Sequence, residues 1–129
     1  MGPVLRKLDA GLIFLYSSLF REEVNQMRTL KFIVNGQILE KDPSCDFDNI
    51  IPGTKGYLRA VFSFSSEWNK CVKAAEFSAG PLRGIPVRIN DNNSCDIPYE
   101  ISDRKSFKIK IVGRGLNGYQ ITTNTIFIN

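Results

Sequence analysis

The sequence predicts an all-β protein, an antiparallel sandwich or small barrel. Three observations carry this. Period-two alternation of apolar and polar residues recurs from Thr29 to Ile128. Clusters of Gly, Pro, Asn and Asp interrupt it at short intervals, leaving roughly seven or eight short strands. No stretch after Met27 sustains a helical period, so helical crossovers for a parallel α/β sheet are missing.

The elements follow in order. Leu30, Phe32 and Val34 alternate with Thr29, Lys31 and Ile33, then Asn35-Gly36 signals a tight turn into Gln37–Glu40. Asp42-Pro43-Ser44 and Asp46–Asn49 form a loop closed by Pro52-Gly53. Tyr57–Phe64 is a strand with Leu58, Ala60, Phe62 and Phe64 on one face, broken by Ser65-Ser66-Glu67 before Trp68. Cys71–Ser78 is the next strand, with Cys71 read as a small buried hydrophobe. Ala79-Gly80-Pro81 ends it. Ile85–Ile89 follows, where Pro86 indicates an edge. Cys95–Ile97 is short and stops at Pro98. Phe107, Ile109 and Ile111 against Lys108 and Lys110 give the cleanest alternation in the chain. Gly113–Gly118 is a hairpin turn, and Tyr119–Ile128 closes with Ile121, Ile126 and Ile128.

Residues 1–26 are different in kind. Leu5, Leu8, Leu12, Leu15 and Leu19 recur at steps of three and four, the seam of an amphipathic helix weakened by Gly11. Two readings stand side by side: a helical docking arm, or an upstream extension with the native start at Met27. The apolar run is short of the about 20 residues that span a bilayer. It carries Asp9, and Leu19-Phe20-Arg21-Glu22 stands where a small-residue cleavage site belongs, so neither secretion nor a membrane span is expected. The division is therefore 1–26 as an N-terminal extension and 27–129 as the folded domain.

Composition narrows the chemistry. The chain contains no histidine, which removes His-based acid/base and nucleophile arrangements and His-containing zinc sites. Three cysteines cannot make a four-cysteine zinc site, and free thiols are expected over a Cys45–Cys95 bridge. Lys and Arg outnumber Asp and Glu by 17 to 13, for a net charge of +4. Lys105, Lys108 and Lys110, flanked by Arg104 and Arg114, are the nearest approach to a basic cluster. A solvated strand face explains them. No exposed aromatics interleave with the lysines in sequence, so nucleic acid is not expected as a partner.

Other candidate chemistry is met by simpler explanations. Asp46, Asp48 and Asn49 carry oxygen ligands for calcium but lack the full EF-hand spacing, and turn chemistry accounts for them. Gly113, Gly115 and Gly118 superficially match a phosphate loop, yet a strand rather than a helix follows. The carboxylate pairs Asp46/Asp48, Asp96/Glu100 and Glu22/Glu23 are not placed across a cleft by anything in the sequence. The hydroxyls of Thr122-Thr123-Asn124-Thr125 suit a strand. Trp68 reads as a core plug, with a partner-binding role as the alternative.

The order of landmarks resembles a known family over about four-fifths of the chain. The stretches are Leu30-Lys31-Phe32-Ile33-Val34-Asn35-Gly36, Pro52-Gly53-Thr54-Lys55-Gly56-Tyr57-Leu58 and Phe62-Ser63-Phe64-Ser65-Ser66-Glu67-Trp68. They continue with Lys73-Ala74-Ala75-Glu76-Phe77, Cys95-Asp96-Ile97-Pro98, Phe107–Gly113 and Ile121-Thr122-Thr123-Asn124-Thr125. Together they resemble small immunoglobulin-like virion proteins, or the N-terminal modules of longer baseplate proteins, of tailed phages infecting Gram-positive bacteria.

The resemblance implies an immunoglobulin-like β-sandwich in a virion, at a tail, baseplate, fibre or head-decorating position, with no enzymatic activity and no cofactor. The expected partners are other virion proteins and copies of the chain itself, with no small-molecule substrate and no membrane. Leu5, Leu8, Leu12, Leu15, Leu19 and Trp68 are the candidate contact residues, with the Ile85–Ile89 edge beside them. Two alternatives stay open: a phage-encoded inhibitor of a host protein, and a carbohydrate-binding attachment module stacking sugars on Trp68 and Tyr99 or Tyr119.

Overall fold

The computed structural model describes residues 27–129. Nine strands occupy them: β1 (Arg28–Asn35), β2 (Ile38–Lys41), β3 (Leu58–Phe64), β4 (Val72–Ala79), β5 (Leu82–Arg88), β6 (Ser94–Asp96), β7 (Phe107–Arg114), β8 (Gln120–Thr122) and β9 (Ile126–Ile128). One sheet has the order β2-β1-β3-β6. The other runs β5-β4-β7-β8, with β9 also pairing β7. The two layers pack as a sandwich.

Alternation dictates which side chains meet between the layers. The first sheet contributes Leu30, Phe32, Val34, Leu39, Leu58, Ala60, Phe62 and Cys95; the second contributes Ala75, Phe77, Ala79, Phe107, Ile109, Ile111 and Ile128. Phe32 stacks on Phe62 with ring centres 5.3 Å apart, and Phe77 lies 6.2 Å from Phe107. Each such side chain contributes roughly 1.5–3 kcal/mol by leaving water.

Two hairpins have a glycine at the first loop position with φ in the left-handed region, Gly36 at +61° and Gly80 at +56°. That placement matches the tight turn favoured by the strand twist. The β1–β2 register pairs Asn35 with Ile38, so the loop is Gly36-Gln37, one residue later than the Asn35-Gly36 expected. Asn35 remains in the strand because only glycine takes the positive φ without cost.

The antiparallel expectation holds for every strand pair but one. β1 and β3 run parallel over the seven pairs from Arg28↔Leu58 to Val34↔Phe64. A parallel pair requires a long return, and residues 42–57 supply it without a helix. The Arg28 guanidinium fastens this return by donating to the carbonyls of Asp46, Asp48 and Asn49. Phe47 and Ile50 of the same segment pack on the core, Phe47 meeting Phe32 edge-on at 5.4 Å. Asp42 opens the segment by accepting from the Ser44 N–H and hydroxyl, and these bonds hold its carboxyl below the usual range.

The breaks expected after β3 and at Pro98 are present, and one smaller expectation, that Cys71 is buried, is corrected. Ser66–Trp68 forms a single 3-10 turn, and Pro98 stops β6 by opening the four-residue helix Tyr99–Ser102. Cys71 is half-buried, whereas Cys95 is the buried thiol; all three cysteines are free. Cys71 precedes β4 and stands beyond the buried run of that strand, Ala75, Phe77 and Ala79, at its less enclosed end.

Candidate functional site

Trp68 is a core residue. It is 0 % exposed, its indole N–H donates to the Gly36 carbonyl at 2.8 Å, and its ring lies 5.3 Å from Phe64. Nothing of it reaches a partner, so its expected contact role is corrected to a structural one. A residue directly after a strand break is positioned to fold back over the sandwich end, and the inward-facing Gly113 leaves room for the indole there. A Cβ at Gly113 would stand 2.8 Å from the ring. Tyr99 and Tyr119 lie at opposite ends of the sandwich. The Tyr119 hydroxyl donates to Glu67, beyond the end of β3, whereas Tyr99 follows Ile97, which bonds Leu58 at the start of β3. The three aromatics form no common platform. Leu5, Leu8, Leu12, Leu15 and Leu19 lie outside the described residues.

The β5 edge is as expected from Pro86. β5 pairs β4 alone. Ile89 donates its N–H to Lys73, so by alternation the N–H positions of Val87 and Ile85 face β4 and Pro86 faces the open side. A proline there removes a donor from the middle of the free edge and discourages strand addition.

Two surface hollows among the described residues are candidate sites. The first lies at the end of the sandwich where β1 and β3 begin. It measures about 310 Å³ and is lined by Arg28, Ile50, Ile51, Thr54, Tyr57 and Leu58. Ile51 and Tyr57 on its wall are 71 % and 43 % exposed. Both come from the return segment, whose course fixes them beside the β3 start.

The second hollow, of about 560 Å³, lies on the outer face of the five-stranded sheet. Its lining brings together Glu76 and Ser78 of β4, Arg83 and Gly84 of β5, Lys108 and Lys110 of β7, and Phe127 of β9. Registers create this grouping. Lys108 stands opposite Ser78 on one side and Phe127 on the other, and Lys110 stands opposite Glu76. The Lys108 ammonium sits 5.7 Å from the Phe127 ring centre, and Lys110 approaches Glu76 at 3.6 Å. Phe127 is 54 % exposed. The Arg104 guanidinium lies against Gly80 at the rim.

Phe127 is the residue sequence reasoning passed over. The signal was present in Ile126-Phe127-Ile128: two isoleucines facing the core force the residue between them outward. Its position beside Lys108, far away in sequence, was set by strand pairing alone.

Among the described residues, no group of three or more His, Cys, Asp or Glu side chains is placed to hold a metal ion. No described helix is long and apolar enough to cross a membrane. The arrangement offers surfaces for contact: one apolar end and one basic, aromatic-bearing face. No protein-family model, curated protein or solved structure matches the chain.

Proposed function

We propose that this chain is a non-enzymatic structural or adaptor component of a tailed-phage virion that works through protein–protein contact. The observation that carries the contact role is the apolar end of the sandwich. Ile51 stands largely in solvent and Tyr57 is partly exposed around a hollow, both held there by the Arg28-fastened return segment. An exposed isoleucine beside an exposed tyrosine on an ordered rim is a surface that gains by being covered. Pro86 disfavours strand addition at the β5 edge, which leaves that edge a poor site of association. The virion setting, with an immunoglobulin-like module in tail, baseplate, fibre or head decoration, comes from the ordered stretches between Leu30 and Thr125.

Mass spectrometry of purified particles tests the setting: the chain is expected as a stable constituent, and its absence from washed particles overturns the proposal. Ile51→Asp tests the surface. That exposed change is expected to leave the isolated domain folded and to lower its incorporation into particles. Unchanged incorporation would remove the apolar end from the contact.

A further inference from the structure

We propose that the outer face of the five-stranded sheet binds single-stranded nucleic acid, with Phe127 as the platform for a base and Arg83, Lys108 and Lys110 as contacts for phosphates. This goes beyond the virion proposal and uses a different surface from the apolar end.

The charge balance of the hollow is the first support. Its lining carries Arg83, Lys108 and Lys110 against the single carboxylate Glu76, and Lys110 already engages that carboxylate at 3.6 Å. The wider face adds Arg88, paired with Ala74, and Arg114, paired with Val72. The chain's net charge is only +4, so these cations concentrate on one sheet face much of what composition alone leaves diffuse.

The ring is the second support. Phe127 is 54 % exposed and stands among these cations instead of in the core, where both of its neighbours point. Packing explains Ile126 and Ile128 but leaves more than half of Phe127 exposed, with the Lys108 ammonium over its ring. A partner whose charges and flat π-faces alternate along its length matches an aromatic ring flanked by cations. Single-stranded nucleic acid has that pattern. A duplex keeps its bases stacked on one another and cannot lend one to Phe127. An acidic protein surface would match the cations but give the ring no stacking partner. The hollow, at about 560 Å³, falls within the size of sites that take small-ligand-sized groups, roughly 300–1,000 Å³.

The test is fluorescence anisotropy of a labelled mixed-sequence single strand of about 20 nucleotides with the full chain. Binding is expected at low salt. With about three phosphates neutralised, it should weaken about 20-fold between roughly 50 and 200 mM salt. Phe127→Ala is expected to weaken it about 10-fold and Phe127→Trp to restore it. Lys108→Gln and Arg83→Gln should each weaken binding and lower the salt slope by about 0.7. Glu76→Gln should tighten it by removing the carboxylate. Circular dichroism of each variant confirms folding.

No binding at low salt overturns the proposal. So does Phe127→Ala that stays folded and binds as wild type, because the ring is then not a platform. Equal affinity for an abasic strand, for inorganic polyphosphate or for a duplex also overturns it, by reducing the face to a generic attraction for negative charge. None of these outcomes bears on whether Ile51 and Tyr57 make contacts in a particle.

Discussion

The Asn124 carboxamide closes a ring with the backbone of Leu39: it accepts from the Leu39 N–H at 2.7 Å and donates to the Leu39 carbonyl at 3.2 Å. The two residues are 85 positions apart; Leu39 belongs to β2 of the four-stranded sheet and Asn124 to the link between β8 and β9 of the other. Asn124 interrupts the outer edge between β8 and β9, and Leu39 is the inward residue of β2. A side-chain amide thus stands in for a neighbouring strand. Asn124 N–H to the Gln37 carbonyl at 3.2 Å and Gln37 Nε2 to the Thr122 carbonyl at 3.1 Å extend the seam. One side of the sandwich is sewn shut.

Asn124→Ala is therefore expected to cost about 1–3 kcal/mol, since it leaves the Leu39 N–H and carbonyl short of partners at a buried residue. Asn124→Asp is not expected to rescue it. It keeps an acceptor for the N–H but sets a second acceptor against the carbonyl. Urea denaturation measures both. A loss below about 0.5 kcal/mol for the alanine change would mean that water takes over both bonds.

Gly113 and Trp68 form a second closely fitted pair. A Cβ at Gly113 would meet two ring carbons at 2.8 Å, and the indole is pinned by its bond to Gly36. Gly113→Ala is expected to destabilise by about 1–3 kcal/mol and to disturb the tryptophan emission. Trp68 is the chain's lone tryptophan, so fluorescence reads its site directly. In the wild type the emission should be that of a water-shielded indole, resistant to acrylamide. Ready quenching would place Trp68 at the surface.

Lys108 and Ile109 are neighbours on β7 with opposite fates, one exposed and one 0 % exposed. Ile109→Asp buries an unpaired charge and is expected to cost about 4 kcal/mol or more. Lys108→Asp should stay within about 0.5 kcal/mol of wild type while abolishing single-strand binding. Thermal melts of the two variants separate the core face of the strand from its solvent face.

Cys95 gives a pH dependence of known sign. Burial, with the neighbouring Asp96 charge adding to it, pushes its thiol up from 9.0 to about 12. Above pH 9 the unfolded chain releases this proton while the folded chain keeps it. The contribution to stability is thus complete below pH 9 and is lost between 9 and 12, at about 1.4 kcal/mol per pH unit. Denaturant titrations at stepped pH should show this decline, and Cys95→Ala should reduce its slope. Thiol-labelling reagents at neutral pH are expected to reach the half-buried Cys45 and Cys71 first and Cys95 only on unfolding.

The sequence by itself determined the β class, the strand faces and most turns, because these depend on period-two alternation and on residues such as Gly80 that suit one local backbone. The Phe107–Ile111 alternation placed Ile109 inside and Lys108 outside without any partner strand being known. Pro86 marked an edge for a similarly local reason. Tertiary structure alone decided everything that depends on which strand lies beside which. The parallel β1–β3 pair needs a return over residues 42–57 whose path no local pattern encodes. The Asn124–Leu39 ring, the indole of Trp68 against Gly113 and the ring of Phe127 beside Lys108 all arise from long-range register. Alternation tells a residue which face it occupies; only pairing and packing tell it whom it meets there.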